Sequence, residues 1–329
     1  MARNELITLL GELDEKQIAQ LQNQAEEFLH INSELNDTTP HACLCCKSTT
    51  SRFVKKGFSR RKRRYQCKEC GKRFTYDVGK ITSGSHQTET AWATFIADTI
   101  SLKSIDDSAL HIGVCHTTAF YMRQKLLAFL EDILKEGVVL DGMIEADETY
   151  VQESQKGKPV TDRKPRKHGE SASKRGLSDE KMCICVAADR EGNLTACCVN
   201  RAKPSSEDIE NAIGSSISEG SVFQCDGAAA YNHLIAEKKC IQIILNSHAD
   251  YNKVYHLNTV NGLHSRLKEI FKRFRGVSSK YLNRYLAMFV AMEQLSERSS
   301  AVERIRLALT RTDATHTIKQ LLNQGLLVI

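Results

Sequence analysis

The sequence contains no apolar run long enough to span a bilayer, and its opening residues, MARNELITLLGELDEKQ, place acids where a secretory leader needs an unbroken apolar stretch. Neither a membrane protein nor an exported one is expected, which leaves the cytoplasm as the compartment. A strong net charge is also missing, because 46 Lys and Arg stand against 40 Asp and Glu, leaving +6. Overall charge therefore names no partner, whereas the clustering of the basic residues points to a polyanion. The twelve cysteines lack an oxidising compartment, so metal ligands and buried thiols are expected rather than a disulfide framework. What is present is 329 residues at 41% hydrophobic content, enough for two or more folded units.

In chain order, Ile7, Leu10, Leu13, Ile18, Leu21, Ala25, Phe28 and Leu29 recur at helical spacing and predict a packing or dimerisation helix over Asn4–Leu35. Two C-x-x-C pairs follow, Cys43/Cys46 and Cys67/Cys70, whose four thiolates suit a closed structural Zn2+ site, with Cys45 as the alternative to Cys46. Between them run Arg52, Lys55, Lys56, Arg60, Arg61, Lys62, Arg63 and Arg64, a concentration of positive charge that predicts phosphate contacts. Such contacts give affinity, not sequence choice. Farther on, a short helix around Asp106–His111, a break at Gly113 and a second helix from about Thr117 match a helix-turn-helix, with Arg123, Gln124 and Lys125 on the helix that would enter the major groove.

From Gly137 the pattern changes to short apolar runs, at MIEAD, 182–190, 194–199, 222–227 and 240–245. Helical stretches at Ser206–Ile217 and Ala228–Glu237 separate the later ones, so a mixed α/β sheet is predicted. A Lys- and Arg-rich insertion over 153–181 reads as a loop, either solvated or in contact with DNA.

The stretch GMIEADETY sets Glu145, Asp147 and Glu148 in a strand, where an unpaired carboxylate costs several kcal/mol and a cation would offset that cost. Asp226 ends the apolar run VFQCD just before Gly227. If the two strands are neighbours, Asp226 and either Glu145 or Asp147 share one side, and alternation does not decide between them. The simpler alternative is that Asp226 caps its helix. Over 256–276, Leu263, Leu267, Ile270, Phe271 and Phe274 form a buried stripe, bordered by Asn261, His264, Ser265, Lys268, Lys272 and Arg275. His264 and Lys268, one turn apart, can face one ligand.

Taken together, IEADETY, QCDG-x-x-x-Y with Tyr231, His248 in NSH, HLNTVNGLHSRLK and the CLCC to CKECGKRFT ribbon resemble the DDE-type transposases of bacterial insertion sequences, specifically a zinc-ribbon-bearing ISXO-like group. The resemblance implies a multidomain α/β chain. Its parts would be an N-terminal helical segment (1–39), a zinc ribbon (40–80), a helix-turn-helix region (85–136), a ribonuclease-H-like catalytic domain (138–292) with its basic insertion, and a helical tail (293–329). It also implies Asp147 and Asp226 as ligands of catalytic Mg2+ or Mn2+, leaving Glu145 and Glu148 as surrounding groups. His264 stands where many relatives carry a third acid, and imidazole suits Mn2+ better than Mg2+. Lys268 matches the family's basic residue, and Asn261 and Lys272 are expected to meet DNA. The implied partners are double-stranded DNA, both element ends and target, and further copies of the chain, in a bacterial cytosol near the nucleoid. A DNA-binding regulator without activity, or a nuclease that never joins strands, are the alternatives.

Overall fold

The computed structural model describes residues 40, 43, 45–46, 48, 52–59, 62–135, 138–156, 176–247, 250–274 and 276–296. The helix expected over Asn4–Leu35, Arg60, Arg61, His248, most of the basic insertion and the tail beyond Ser296 lie outside them. The described residues form two compact units, one up to Ile96 and one from Ala97.

In the first unit, β1 (Phe53–Ser59), β2 (Lys62–Cys67) and β3 (Arg73–Thr75) make an antiparallel sheet in that order. Alternation along β2 buries Tyr65 and Cys67. Lys62 does not reach outward as expected of a phosphate contact. It forms an ion pair with buried Asp77 and donates to the carbonyls of Thr82 and Ser85 at 3.2 and 3.1 Å, tying the sheet to the following turns. Helix α1 (Glu89–Ile100) buries Trp92, Phe95 and Ile96.

The second unit begins with α2 (Ile105–Ile112) and α3 (His116–Lys135). Ser104 caps α2 through its side chain, and Gly113 ends it in the left-handed conformation at φ 69°. The helix pair is thus where the sequence places it, but its basic residues are not. Arg123 and Lys125 are buried, and Gln124 accepts a 3.0 Å bond from buried Arg284, so this face of α3 packs inside the unit. Its first turn, around His116 and Thr117, is exposed, as is Asp132 farther along.

Strands β4 (Met143–Gln152), β5 (Lys181–Asp189), β6 (Leu194–Arg201), β7 (Val222–Cys225) and β8 (Ile241–Ile244) form one sheet in the order β6-β5-β4-β7-β8. The hairpins β4–β5 and β5–β6 are antiparallel, while β7 and β8 add in parallel. Parallel addition needs crossovers, which are α4 (Ser206–Ile213) before β7 and α5 (Asn232–Glu237) before β8. Strand β5 reads as unbroken apolar sequence because both its faces are covered. Ile184 and Val186 pack with Val260, Leu263 and Leu267 of α6 (Asn258–Arg273) and Leu286 and Phe289 of α7 (Leu282–Ser296); Cys185 and Ala187 pack with Ile209 and Leu234 on the other face.

Candidate functional site

Strands β4 and β7 are neighbours, as the site requires, and their register runs from Met143↔Val222 to Glu145↔Gln224. Strand β7 then stops at Cys225, while β4 continues to Gln152. Asp226 therefore lies just past the carboxyl end of the shorter strand, beside the middle of the longer one. Its position is fixed by a turn: Oδ1 accepts from the Ala228 amide at 2.9 Å, and Gly227 has φ +82°. A Cβ at Gly227 would lie 2.8 Å from Ile244 Cγ2, so only glycine fits there. Asp226 does order the turn before α5, which is the simpler of its two expected roles, but that occupies one oxygen and leaves the other to the site.

Asp147, Glu148 and Asp226 each offer a carboxylate oxygen within 4.8 Å of the others. Burial, then the charges of Glu148 and Asp226, pushes the Asp147 carboxyl up to about 6, with the Lys268 ammonium acting in the opposite direction. Glu148 is raised as well, chiefly by burial. Half-buried Asp147 and Glu148 are thus held, beside exposed Asp226, where their ionisation is disfavoured, and a divalent cation relieves that cost.

Glu145, which alternation left level with Asp147, plays a different part. It is 1% exposed and accepts from the amides of Thr259 and Val260 at 2.8 and 3.2 Å and from the Thr259 hydroxyl at 2.8 Å. Arg190 Nη1 lies 2.6 Å and His256 Nδ1 3.2 Å from its Oε1. A carboxylate from β4 thus satisfies the orphan amides at the start of α6 and sits at the positive end of that helix. Two residues along β4 and five along α6, His264 Nδ1 stands 3.8 Å from Asp147 Oδ2.

His264 is buried, and burial followed by the nearby Lys268 ammonium lowers its imidazole to about 4, so it is neutral at physiological pH. Its Nε2 is buried and meets no hydrogen-bond partner among the described residues. Lys268 and Lys272 are exposed on α6, and Asn261 is half-buried and bonded to Tyr251. The structure thus brings Asp147, Asp226, His264 and Lys268 to one place. It adds Glu148, which strand alternation assigns to the far face.

In the first unit, Cys43, Cys46, Cys67 and Cys70 also converge within 4.8 Å, and Cys45 is not one of that group. The Cys43–Cys70 and Cys46–Cys67 sulfurs are 3.6 and 3.9 Å apart. Sulfurs about 2.3 Å from a tetrahedral Zn2+ are about 3.8 Å apart, so the group fits that ion. Arg63 stacks over Phe58 at 4.1 Å, and Arg64 donates to the Lys56 carbonyl at 3.4 Å.

Residues 139–294 match the model of the ISXO2-like transposase domain. The match spans somewhat less than half of the chain, and over that span the chain is similar to ISXO2-like transposases. The match points to a DNA transposase. A protein described as an uncharacterized protein in transposable element ISH50, from Halobacterium salinarum, is 26% identical over 254 residues, covering 75% of this chain and 83% of its own length. Among solved structures, the mariner Mos1 paired end complex with Mg is 13% identical, with a TM-score of 0.27 over 70% of this chain and 79% of that one. The Mos1 strand transfer complex is also 13% identical, with a TM-score of 0.22 over 64% and 78%. Resemblance that slight bears no weight. Among the described residues, no helix is long and apolar enough to cross a membrane.

Proposed function

We propose that this chain is a DNA transposase that binds the terminal inverted repeats of its element, hydrolyses a phosphodiester there and joins the freed 3′-hydroxyl to target DNA, without a covalent protein–DNA intermediate. The observation that carries the reading is the convergence of Asp147 and Asp226 at the end of β7, with a neutral imidazole and an ammonium beside them. Carboxylate oxygens and one neutral imidazole form a donor set for Mg2+ or Mn2+. When bound, these ions supply Lewis-acid polarisation of the scissile phosphate. Asp147 and Asp226 hold them, and His264 completes or orients the site. Lys268 meets a phosphate near the scissile bond, with Asn261 and Lys272 extending the contact along α6.

The strand order, three antiparallel strands followed by two parallel ones, suits a ribonuclease-H-like domain. The four thiols suit a structural Zn2+, which would hold the sheet that carries Arg63 and Arg64 toward DNA. Since Arg123 and Lys125 are buried, DNA contact from the helix pair falls to the exposed first turn of α3. Two element ends call for at least two copies of the chain, acting on DNA in the cytosol and nucleoid. Asp147→Ala should abolish cleavage of end-bearing DNA in Mn2+ while leaving binding largely intact, and undiminished cleavage would refute the assignment. A regulator would leave the duplex whole, and a nuclease would give hydrolysis products without joined strands.

A further inference from the structure

We propose that Glu148 is a third carboxylate ligand of the metal centre, aimed by the buried hydroxyl of Tyr231, and that it supplies the acid that position 264 lacks. The inference rests on the metal-centre reading of Asp147 and Asp226. Alternation along β4 sends Glu148 to the face opposite Asp147, yet its ligand oxygen lies within 4.8 Å of both aspartates. The early end of β7 accounts for this. Ladder pairing between β4 and β7 extends only to Glu145↔Gln224, so Asp226 lies beside the β4 edge, where side chains from both faces reach it.

Two further observations concern Glu148 itself. Its Oε1 is buried and meets no hydrogen-bond donor among the described residues. A buried carboxylate oxygen in that condition carries an uncompensated desolvation cost, which a cation between the three acids would remove. The same carboxylate accepts a bond from Tyr231. That tyrosine is fully buried, its ring 5.4 Å from Phe223 and its hydroxyl 3.9 Å from Cys185 Sγ. A phenol fixed on three sides is a rigid donor, and the groups that orient ligating carboxylates commonly govern affinity. This accounts for the Tyr of QCDG-x-x-x-Y, which follows Asp226 closely enough to share its turn and reaches back to β4.

The test is Mn2+ binding to the full-length chain without DNA, by calorimetry, alongside the melting temperature of the metal-free protein. Glu148→Gln should weaken Mn2+ binding by at least about 10–100-fold, while the metal-free protein melts no lower than wild type because one of three clustered charges is gone. Tyr231→Phe should weaken binding by about tenfold, and adding it to Glu148→Gln should cost nothing more, since the phenol acts through that carboxylate. Wild-type affinity in Glu148→Gln, with affinity lost in Asp147→Asn, would overturn the role of Glu148 and leave the metal centre standing. Wild-type affinity in both variants would overturn the metal centre as well.

Discussion

Replacing Glu145 with glutamine should loosen the whole site without touching any proposed ligand. Thr259 and Val260 donate their amides to one carboxylate oxygen, while the Thr259 hydroxyl and Arg190 donate to the other. A carboxamide can face only one of these pairs with an acceptor; the other pair meets an NH2 group. Losing one partner of a buried ion pair costs about 3–5 kcal/mol. Because the Arg190 side chain is 31% exposed and recovers water, the low end, about 3 kcal/mol, applies. At about 2–4 °C per kcal/mol for a domain of this size, the melting temperature should fall by about 6–12 °C. Catalysis should suffer more than binding. From Glu145 to Asp147 is about 6.6 Å along β4, and from Thr259 to His264 is about 7.5 Å along α6, so one anchor holds His264 abreast of Asp147. Releasing it permits displacements of about 1 Å, enough to cost up to about 100-fold in rate. Scanning calorimetry and Mn2+-dependent cleavage of end-bearing DNA measure the two effects. A melting temperature within about 2 °C of wild type, with cleavage unchanged, would refute the anchoring role.

Zinc analysis of purified protein should give one ion per chain, lost in Cys70→Ser and kept in Cys45→Ser; loss in the second variant instead would move the ligand assignment from Cys46 to Cys45. The metal-free site also predicts a pH effect. Asp147, pushed up to about 6 from an ordinary value of 3.8, binds its proton more tightly folded than unfolded, so its contribution weakens stability as pH rises from 3.8 to 6. His264, lowered from 6.5 to about 4, acts with the opposite sign, its contribution being lost as pH falls through that window. Asp147→Asn should therefore melt higher than wild type at about pH 7 and alike at about pH 3.5, as read by thermal denaturation in chelator.

Much of the centre is legible in the sequence, because apolar runs ending in an acid report a strand and the place where its chain leaves the sheet. The pairing of β4 with β7 is only a condition in the sequence reading; the structure meets it, although β4 runs past Asp147 to Gln152. Glu145 and Asp147 cannot be separated by the same means, since alternation gives them one face, and the difference lies in what α6 brings to each. Glu145 meets two amides and a hydroxyl, whereas Asp147 meets other carboxylates and an imidazole. Periodicity puts Glu148 on the far face because it assumes that a strand has neighbours along its whole length. Arg123 and Lys125 mislead for another reason: basic residues in a helix-turn-helix pattern read as surface, but α3 packs inside its unit, with Gln124 holding Arg284. Sequence periodicity does not report which side of a long helix meets its own fold.

The four-residue β7 has a second consequence. From Ala146 to Gln152, β4 has ladder pairing among the described strands only with β5, and a strand edge without a ladder partner is where a foreign strand can add and chains begin to aggregate. Three carboxylates stand at the middle of this edge, so an approaching strand would have to bring cations or bear their repulsion. Asp147, Glu148 and Asp226 therefore also discourage this chain from pairing with another along that edge, and a triple amide variant prepared to silence the enzyme would lose that protection too.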